Sequence, residues 1–306
     1  MGVNMRIYIS AFVAFLISQS LQATDLITFE DAKVKALCVA NWDMDKDGEL
    51  SVDEAAAVNA LGTVFREQKS ITTFDELKFF TGLTVISDYA FYKSSIQRVT
   101  LPPTVNSIGE YAFSESSISG ELRIPGTVKA IKNYAYYNCK QLTKVVLEEG
   151  VETVGWHTFS GPIRVMLLPT SLTFMSSMAI DPYVNAASSS GIFIPEGDLF
   201  VYSCSSTPSP VNDFAFYYVF GAAHLVVPYG CKEAYKAAWA WSQFGEYIEV
   251  GDVNRDGKLN VADVALLIAY VTGREYTEIE ARIADVNGDG AVDADDVTLL
   301  CSYILE

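Results

Sequence analysis

The sequence of 306 residues carries little positive charge for its size. Lysine and arginine together number 21, against 38 aspartate and glutamate residues, which gives a formal net charge of -17. A nucleic-acid-binding protein needs a basic face to displace the counterions of the phosphate backbone, so the charge argues strongly against nucleic acid as a partner. The same argument disfavours an anionic membrane surface.

Residue types that carry most enzymatic chemistry are also scarce. The only histidines are His157 and His224, and the sequence has no His-Glu-x-x-His motif, glycine-rich phosphate loop or Gly-x-Ser-x-Gly elbow. Carboxylates are plentiful, so a glycan-active enzyme with a catalytic carboxylate pair stays open as a minor hypothesis. We expect the protein not to be an enzyme, because its clustered carboxylates have the spacing of metal ligands.

Cysteines are few, odd in number and far apart, so a disulfide framework is not expected. We expect the five cysteines to be mostly small buried apolar residues, with a single Cys204–Cys231 disulfide as the alternative. The cysteines are Cys38, Cys139, Cys204, Cys231 and Cys301.

Long hydrophobic runs are absent except at residues 7–17, which are too few to span a bilayer. Arg6 precedes this run and small residues follow it at 18–23, a pattern typical of a secretory signal peptide at 1–23. We expect cleavage after Ala23, or alternatively after Ser20. The protein is therefore predicted to be secreted or held on the extracellular cell surface, with no membrane span.

The acidic residues concentrate at the two ends of the chain. Residues 24–60 contain nine acidic and three basic residues, and residues 252–306 contain twelve acidic and four basic ones. Such clusters repel themselves unless a cation neutralises them.

The first acidic cluster contains a twelve-residue segment, 43–54, that matches the calcium loop of an EF-hand. Gly48 supplies the sharp turn at position 6. Helix-like spacing at 29–41 and an alanine-rich segment at 52–61 predict helices on both sides. The predicted ligands are the carboxylates of Asp43, Asp45 and Asp47, the carbonyl of Glu49, Ser51 through water, and the carboxylate of Glu54.

The same pattern occurs twice near the C-terminus, at 252–263 and 285–296. Each loop runs into an apolar helix, at 264–271 and 297–305, and the chain before the first loop reads as extended. The predicted ligands are Asp252, Asn254, Asp256, the Lys258 carbonyl and Asp263 in one loop, and Asp285, Asn287, Asp289, the Ala291 carbonyl and Asp296 in the other. Oxygen ligands in this number predict Ca²⁺ as the cofactor of all three loops.

The duplicated loop and exiting helix resemble a dockerin module. The resemblance implies calcium binding and attachment to the cohesin domains of a scaffold. Loop positions 10 and 11, where many dockerins have a Ser-Thr-like pair, hold Val261 and Ala262 in one loop and Ala294 and Asp295 in the other. The alternative is a calcium-stabilised cap with no docking partner.

The middle of the chain repeats at intervals of 22, 23 and 23 residues, set by an aromatic residue after Ala or Thr. One such repeat cannot bury its own apolar face, whereas stacked repeats can. The aromatic residues are Phe91, Phe113, Tyr136 and Phe159, and the strands that follow the repeats are predicted at 99–101, 122–124, 145–147, 166–168, 192–194 and 225–227.

These repeats resemble the BspA-type leucine-rich repeats of secreted and surface bacterial proteins, over residues 71–248. The predicted fold class is therefore multidomain. A leucine-rich-repeat solenoid with short parallel strands is flanked by an α-helical EF-hand cap at 24–70 and a dockerin-like calcium module at 249–306.

Alternation along the strands predicts a row of outward side chains whose second half is apolar. Contiguous exposed apolar residues mark interaction sites, so this half is the predicted binding strip for a protein or glycan ligand. The alternatives are that the helix of the terminal repeat or the calcium module folds over it, or that these are ordinary strand residues. The row comprises Thr100 and Arg123, followed by the strip Val146, Leu167, Phe193 and Val226.

The sequence as a whole predicts an exported, calcium-binding, non-catalytic recognition protein. Its solenoid binds a ligand and its tail attaches to a cohesin-type scaffold. The alternative is a cell-surface adhesin whose tail is only a calcium-stabilised cap.

Overall fold

The computed structural model describes residues 25–182, 199–219 and 223–305. The predicted signal peptide and Phe193 lie outside the described residues. None of the described helices is long and apolar enough to cross a membrane.

The described residues form short parallel strands in the middle of the chain and helices towards its two ends. The α-helices are α1 (Ala32–Trp42), α2 (Val52–Ala57), α3 (Lys232–Ala237), α4 (Val261–Val271), α5 (Glu278–Ala284) and α6 (Ala294–Leu305). The strands are β1 (Thr73–Phe74), β2 (Val85–Ile86), β3 (Arg98–Val99), β4 (Ser107–Ile108), β5 (Ser119–Ile124), β6 (Ala130–Ile131), β7 (Gln141–Leu147), β8 (Thr153–Val154), β9 (Phe159–Ser160), β10 (Val165–Leu168), β11 (Phe174–Met175), β12 (Ile180–Asp181), β13 (Leu199–Ser203), β14 (Ala223–Val227) and β15 (Glu246–Glu249).

Two parallel sheets form opposite walls of the solenoid. One contains six strands in the order β15-β14-β13-β10-β7-β5, and the other contains five in the order β11-β8-β6-β4-β2. Two-stranded sheets, β1-β3 and β12-β9, complete the coils. The predicted fold class, a solenoid of short parallel strands with helical modules, is confirmed.

The fifth predicted strand, at 192–194, lies outside the described residues. The place in the sheet between β10 and β14 is taken by β13, which pairs with both neighbours along its length. The sequence of β13, Leu-Phe-Val-Tyr-Ser, is buried throughout and is rich in strand-forming residues. Burial on both faces removes the polar–apolar alternation by which the other strands are recognised.

The repeated aromatic residues stack inside the solenoid. The ring centroids of Phe91, Phe113 and Tyr136 follow one another at 4.9 Å with nearly parallel planes, and Phe159 continues the row at 5.7 Å. This interval is close to the spacing of about 4.8 Å between adjacent strands, so identical repeats bring their rings into contact. The stack therefore holds each coil against the next.

A second stack lies at the corner of the coils. Tyr89, Tyr111, Tyr134 and His157 follow one another with centroids 5.0, 4.6 and 5.6 Å apart. Each of the four has a positive φ between 47° and 59°. This left-handed conformation is costly for a residue with a Cβ, and the ring contacts offset the cost. His157 thus has a structural position, and burial lowers its pKa.

The N-terminal segment at 25–70, which the sequence predicts to be an EF-hand cap and which is called the hand below, is continuous with the solenoid core. Phe65 stacks on Phe91 with centroids 5.2 Å apart, and Trp42 meets Phe80 edge-on at 5.5 Å. The Asp31 carboxylate caps α1 and accepts a hydrogen bond of 2.7 Å from the Thr72 N–H. The hand therefore covers the first coil. Its second helix, α2, ends at Ala57, short of the predicted residue 61.

All five cysteines lie in the described residues and are free thiols, so the alternative Cys204–Cys231 disulfide is excluded. Cys38 and Cys139 are buried, and burial raises the pKa of Cys139 to about 12. Cys204 is exposed, and Cys231 and Cys301 are half-buried. The expectation of small buried residues therefore holds for two of the five.

Truncating one ring of the inner stack should destabilise the solenoid. Phe113→Ala removes a buried ring with neighbours on both faces, so we expect the free energy of unfolding to fall by about 3–5 kcal/mol. Phe174→Ala is the control, because Phe174 is exposed and should change stability by less than about 0.5 kcal/mol. Urea unfolding measures both, and equal losses would contradict the role of the stack.

Candidate calcium loops and the covered strand face

The first loop gathers its carboxylates around one point. Ligand oxygens of Asp43, Asp45 and Asp47 all lie within 4.8 Å of one another. Backbone N–H groups hold them there: Lys46 and Gly48 donate to Asp43 at 2.6 and 3.0 Å, and Glu49 donates to Asp47 at 2.8 Å. Three adjacent anions on one side of a turn provide the oxygen ligands that Ca²⁺ prefers.

The twelfth residue closes the first loop. The Glu54 carboxylate accepts hydrogen bonds from the backbone of Met44 at 2.8 Å and of Ser51 at 2.9 Å. Burial raises the pKa of Glu54, but these bonds and that from the Ser51 hydroxyl outweigh it, so the net pKa is lowered. Glu54 is thus held as a carboxylate beside the loop. Ser51 also caps α2 through its side chain, a role beyond that predicted from its loop position.

The two C-terminal loops repeat this arrangement. The N–H groups of Gly257 and Gly290, both at position 6, donate to Asp252 and Asp285 at 3.0 Å. These glycines have φ values of 80° and 91°, matching 88° at Gly48. The side chains at position 3, Asn254 and Asn287, accept from the N–H groups of Asp256 and Asp289 at 2.9 and 2.8 Å.

The twelfth residues of the C-terminal loops are buried acids. Asp263 and Asp296 have no exposed surface. Asp263 accepts from the backbone of Asn254 and Asn260 at 3.1 and 3.0 Å, and Asp296 accepts from Val286 and Asp293 at 2.7 and 2.8 Å. The three loops therefore share one hydrogen-bonding pattern. At position 12 the acceptor is an aspartate in the two C-terminal loops and a glutamate in the first loop.

Electrostatics within these loops favour a bound cation. Burial raises the pKa of Asp252, and the carboxylates of Asp263 and Asp256 raise it further. Burial likewise raises the pKa of Asp285, with Asp296 and Asp289 adding to the effect. A divalent cation would remove this repulsion, so the donor set fits Ca²⁺. The carbonyls of Glu49, Lys258 and Ala291 stand at position 7 of their loops as predicted ligands.

In the outward row of the six-stranded sheet, the residue between Leu167 and Val226 differs from the one predicted. Val146 pairs with Leu167 and Leu167 pairs with Tyr202. Tyr202 therefore stands where Phe193 was expected, because β13 fills this place in the sheet. The complete row is Arg123, Val146, Leu167, Tyr202, Val226 and Ile248.

The predicted binding strip is buried by the protein's own tail. Val146, Tyr202 and Val226 are each less than a tenth exposed, and Leu167 is half-buried. Ile283 of α5 has no exposed surface, and it packs with Ile279 into one apolar cluster that includes Leu167, Tyr202 and Val226. The predicted exposure is thus not found for Val146, Leu167 and Val226, and the C-terminal module covers Leu167 and Val226, as the alternative predicted.

Polar contacts surround this apolar contact. Lys144 of β7 is ion-paired to Glu121 at 2.9 Å and to Glu278 of α5. The Lys144 hydrogen bond is the main cause that lowers the pKa of Glu278. The guanidinium of Arg282 lies 5.7 Å from the ring centre of Tyr202. These contacts fix the position of α5 on the sheet.

The third loop lies next to the same strands. A cleft of 490 Å³ separates them, with Leu167, Tyr202 and Tyr229 on the solenoid side and residues 285–290 of the loop on the other. Tyr229 stacks on Tyr303 of α6, with centroids 4.5 Å apart. Folding of the third loop and covering of the strand face therefore involve the same residues.

Helix α5 is the functional element that the sequence interpretation missed. Thr277 and Glu280 form a capping box at its start, with the Thr277 hydroxyl accepting from the Glu280 N–H at 3.2 Å. A Thr-x-x-Glu segment together with apolar residues four apart, Ile279 and Ile283, is the sequence signature of such a helix. That signal could have identified it.

Two family models match the chain. Residues 64–184 match the BspA type leucine rich repeat region in six copies, and residues 250–305 match the Dockerin type I domain. Both resemblances drawn from the sequence are confirmed, whereas the loop at 43–54 lies in neither match. No curated protein matches the chain significantly.

The two matched domain types have known general properties. Leucine-rich-repeat solenoids and dockerins are non-catalytic domain types that are typical of extracellular or cell-surface proteins. Dockerin type I domains bind calcium and cohesin scaffolds. The parallel strands continue to Glu249, well past the end of the repeat match.

The three loops should differ in calcium affinity. Loop 252–263 has three carboxylate ligands, Asp252, Asp256 and Asp263, whereas loop 43–54 has four and ends in glutamate. Charge number and the twelfth ligand tune affinity, so we expect 252–263 to be the weakest site. Calorimetric calcium titrations of Asp43→Ala, Asp252→Ala and Asp285→Ala measure this. Loss of the tightest binding phase in Asp252→Ala would contradict the ranking.

The contact between α5 and the strand face should contribute measurably to stability. Ile283→Ala empties a fully buried position, so we expect the free energy of unfolding of the calcium-loaded protein to fall by about 2–5 kcal/mol. Ile268→Ala is the matched control in the same module, because Ile268 is exposed and its loss should cost less than about 0.5 kcal/mol. Chemical denaturation compares the two, and a neutral Ile283→Ala would mean that α5 does not bind the sheet.

Proposed function

We propose that the protein is an exported, calcium-binding, non-catalytic recognition protein. Its solenoid binds a protein or glycan ligand, and its C-terminal module attaches it to a cohesin-bearing scaffold. The three loops bind Ca²⁺, which folds the module and the N-terminal hand. Export through the signal peptide at 1–23 places the protein outside the cell.

An exposed apolar stripe on α4 is the observation that carries the scaffold attachment. Val261, Ala265 and Ile268 lie three and four residues apart on one helical face, and all are exposed, Val261 to 73% and Ile268 to 45%. The solenoid does not cover this face, although it covers α5 of the same module. Such residues on a secreted domain favour a protein partner.

The corresponding face of α6 has a different chemistry. The residues that correspond to Val261, Ala265 and Ile268 are Ala294 and Thr298, which are exposed, and Cys301, which is half-buried, so the polar Thr298 and the half-buried Cys301 replace the exposed Ala265 and Ile268. The two halves of the module therefore offer unlike surfaces, and we propose that the scaffold binds on α4. Val261 and Ala262 at positions 10 and 11 of their loop extend the apolar stripe to the start of this helix.

One observation favours the alternative, a cell-surface adhesin whose tail is a calcium-stabilised cap. The tail buries the second half of the strand face, which is what a cap does for the open end of a solenoid. The two functions differ in what they require of α4, because a cap needs no partner there.

The test is capture of a scaffold by the full chain. Immobilised protein is incubated with the proteins secreted by the same organism, in calcium and in chelator, and bound proteins are identified by mass spectrometry. We expect a cohesin-bearing protein in calcium only. Ile268→Arg should weaken its binding about 30-fold or more, as for a residue at the centre of an interface.

Thr298→Arg on α6 is the matched control and should bind like the native protein, because it adds the same charge to the other helix. Equal binding by all variants would exclude α4 as the site. Absence of any cohesin-bearing protein in the calcium sample would favour the cap and adhesin.

A further inference from the structure

The six-stranded sheet is interrupted within the solenoid, between β3 and β5. These strands belong to consecutive repeats, yet β3 pairs only with β1 and β5 pairs only with β7. Among the described residues, one backbone hydrogen bond joins the two repeats on this wall, from the Ser119 N–H to the Gln97 carbonyl at 3.4 Å. On the opposite wall the same repeats stay paired through β4 and β6. The coils therefore separate on one side only.

The sequence explains the interruption. Leu122 of β5 lies four residues after Ile118, whereas in the equivalent pairs, such as Ile96 and Val99, the spacing is three. Within this extra length Gly120 has a φ of +67°, and the register of β5 against β7 shifts immediately after it. The shift skips Thr143 of β7, and β5 stays paired with β7 on both sides of it; such an irregularity bends the strand and re-aims its other edge. Two consecutive prolines, Pro102 and Pro103, also remove N–H donors after β3.

The interruption opens a cleft of 430 Å³ that reaches the inner aromatic stack. Phe113 and Tyr136 lie at its base, and half-buried Val99, Leu101 and Leu122 line its sides. Arg98, Glu121 and Arg123 lie at its mouth. This volume is within the range of ordinary binding clefts.

Free backbone edges face each other across the cleft. On β3, Arg98 and Thr100 donate to carbonyls on the β1 side, so the backbone groups of Val99 and Leu101 point the other way, into the cleft. On β5, the Ile124 carbonyl accepts from Glu148 on the β7 side, so Glu121 and Arg123 present their backbone groups to the cleft. Two opposed edges of this kind are a template for one added strand.

We propose that this cleft binds an extended peptide segment of a partner protein, which inserts as a strand between β3 and β5. The backbone edges supply hydrogen bonds at the strand repeat, and the apolar base accepts every second side chain. This proposal rests on the proposed recognition role of the solenoid and names the class of its ligand. It concerns the half of the strand face that the tail leaves uncovered.

The charged residues at the mouth of the cleft determine which side chains are preferred on the outer face of the peptide. Arg98 and Arg123, one on each strand, are 58% and 54% exposed. Arg98 is ion-paired to Glu30 and Asp75, and Arg123 is ion-paired to Glu121 and Glu148. These pairs are on the surface, where an ion pair contributes little to stability. An acidic side chain on the outer face of the peptide can therefore compete for them. The preferred segment alternates apolar and acidic or polar residues.

The probe is a synthetic capped peptide with the sequence of β7, Gln-Leu-Thr-Lys-Val-Val-Leu, which pairs with the other edge of β5 in the native fold. A second peptide replaces the outward valine, equivalent to Val146 and paired with Arg123, by glutamate. A third carries N-methyl groups on alternate backbone nitrogens, which removes half of its donors. Fluorescence anisotropy measures binding of each to the full chain in calcium.

We expect the glutamate peptide to bind about 3- to 10-fold more tightly than the β7 peptide, and the N-methylated peptide at least 10-fold more weakly. Arg123→Ala, a change at an exposed residue that should not affect folding, should abolish the advantage of glutamate. Residue-resolved amide exchange should show protection at Val99, Leu101, Glu121 and Arg123, but no new protection at Arg98 or Thr100.

Other outcomes would overturn the proposal. Equal binding of the N-methylated peptide would mean that backbone pairing is not used. Protection elsewhere on the solenoid would place the peptide outside the cleft, and protection of these edges by a neutral oligosaccharide, with no peptide binding, would assign the cleft to a glycan. Scaffold capture through α4 uses another surface, so failure of one test leaves the result of the other intact.

Discussion

Contact between like side chains in successive coils is the interaction on which the solenoid depends. A repeat of 22 or 23 residues buries its apolar face only against the next repeat. The rings of Phe91, Phe113 and Tyr136 meet at 4.9 Å because the strands beside them are spaced by nearly the same distance. The stack therefore forms because the repeats are alike. Each terminal coil has no neighbouring coil on one side, so its apolar surface is exposed there unless another segment covers it.

The two helical modules cover surfaces that repetition leaves open. At the N-terminal end, Phe65 extends the inner stack by one ring and the Asp31 carboxylate joins the hand to Thr72. At the other end, α5 lies on the strand face through Ile279 and Ile283, with Lys144 bound to Glu278 beside them. Both modules contain acidic loops whose donor sets fit Ca²⁺, so the calcium binding that we propose would tie their folding to the ion. In this account calcium determines whether the solenoid is covered.

Periodic features were predictable from the sequence, and features set by tertiary contact were not. The aromatic repeat and the three loops recur at fixed spacing, which is why the solenoid and the positions of the loop residues follow from residues alone. The strand at Leu199–Ser203 was missed because burial on both faces leaves no alternation, and this moved the outward row from Phe193 to Tyr202. Whether Leu167 and Val226 are exposed depends on α5, a seven-residue helix whose local signals are a capping box and two isoleucines.

The central claim is that the calcium-folded tail covers the strand face. Hydroxyl-radical footprinting of the full chain, in calcium and in chelator, measures the exposure of individual side chains. The account predicts that chelation raises the labelling of Tyr202 and Ile283 together, while Phe113 in the inner stack stays protected in both conditions. Labelling of Tyr202 that is unchanged while Ile283 becomes exposed would contradict the claim, because the strand face would then be buried without the tail.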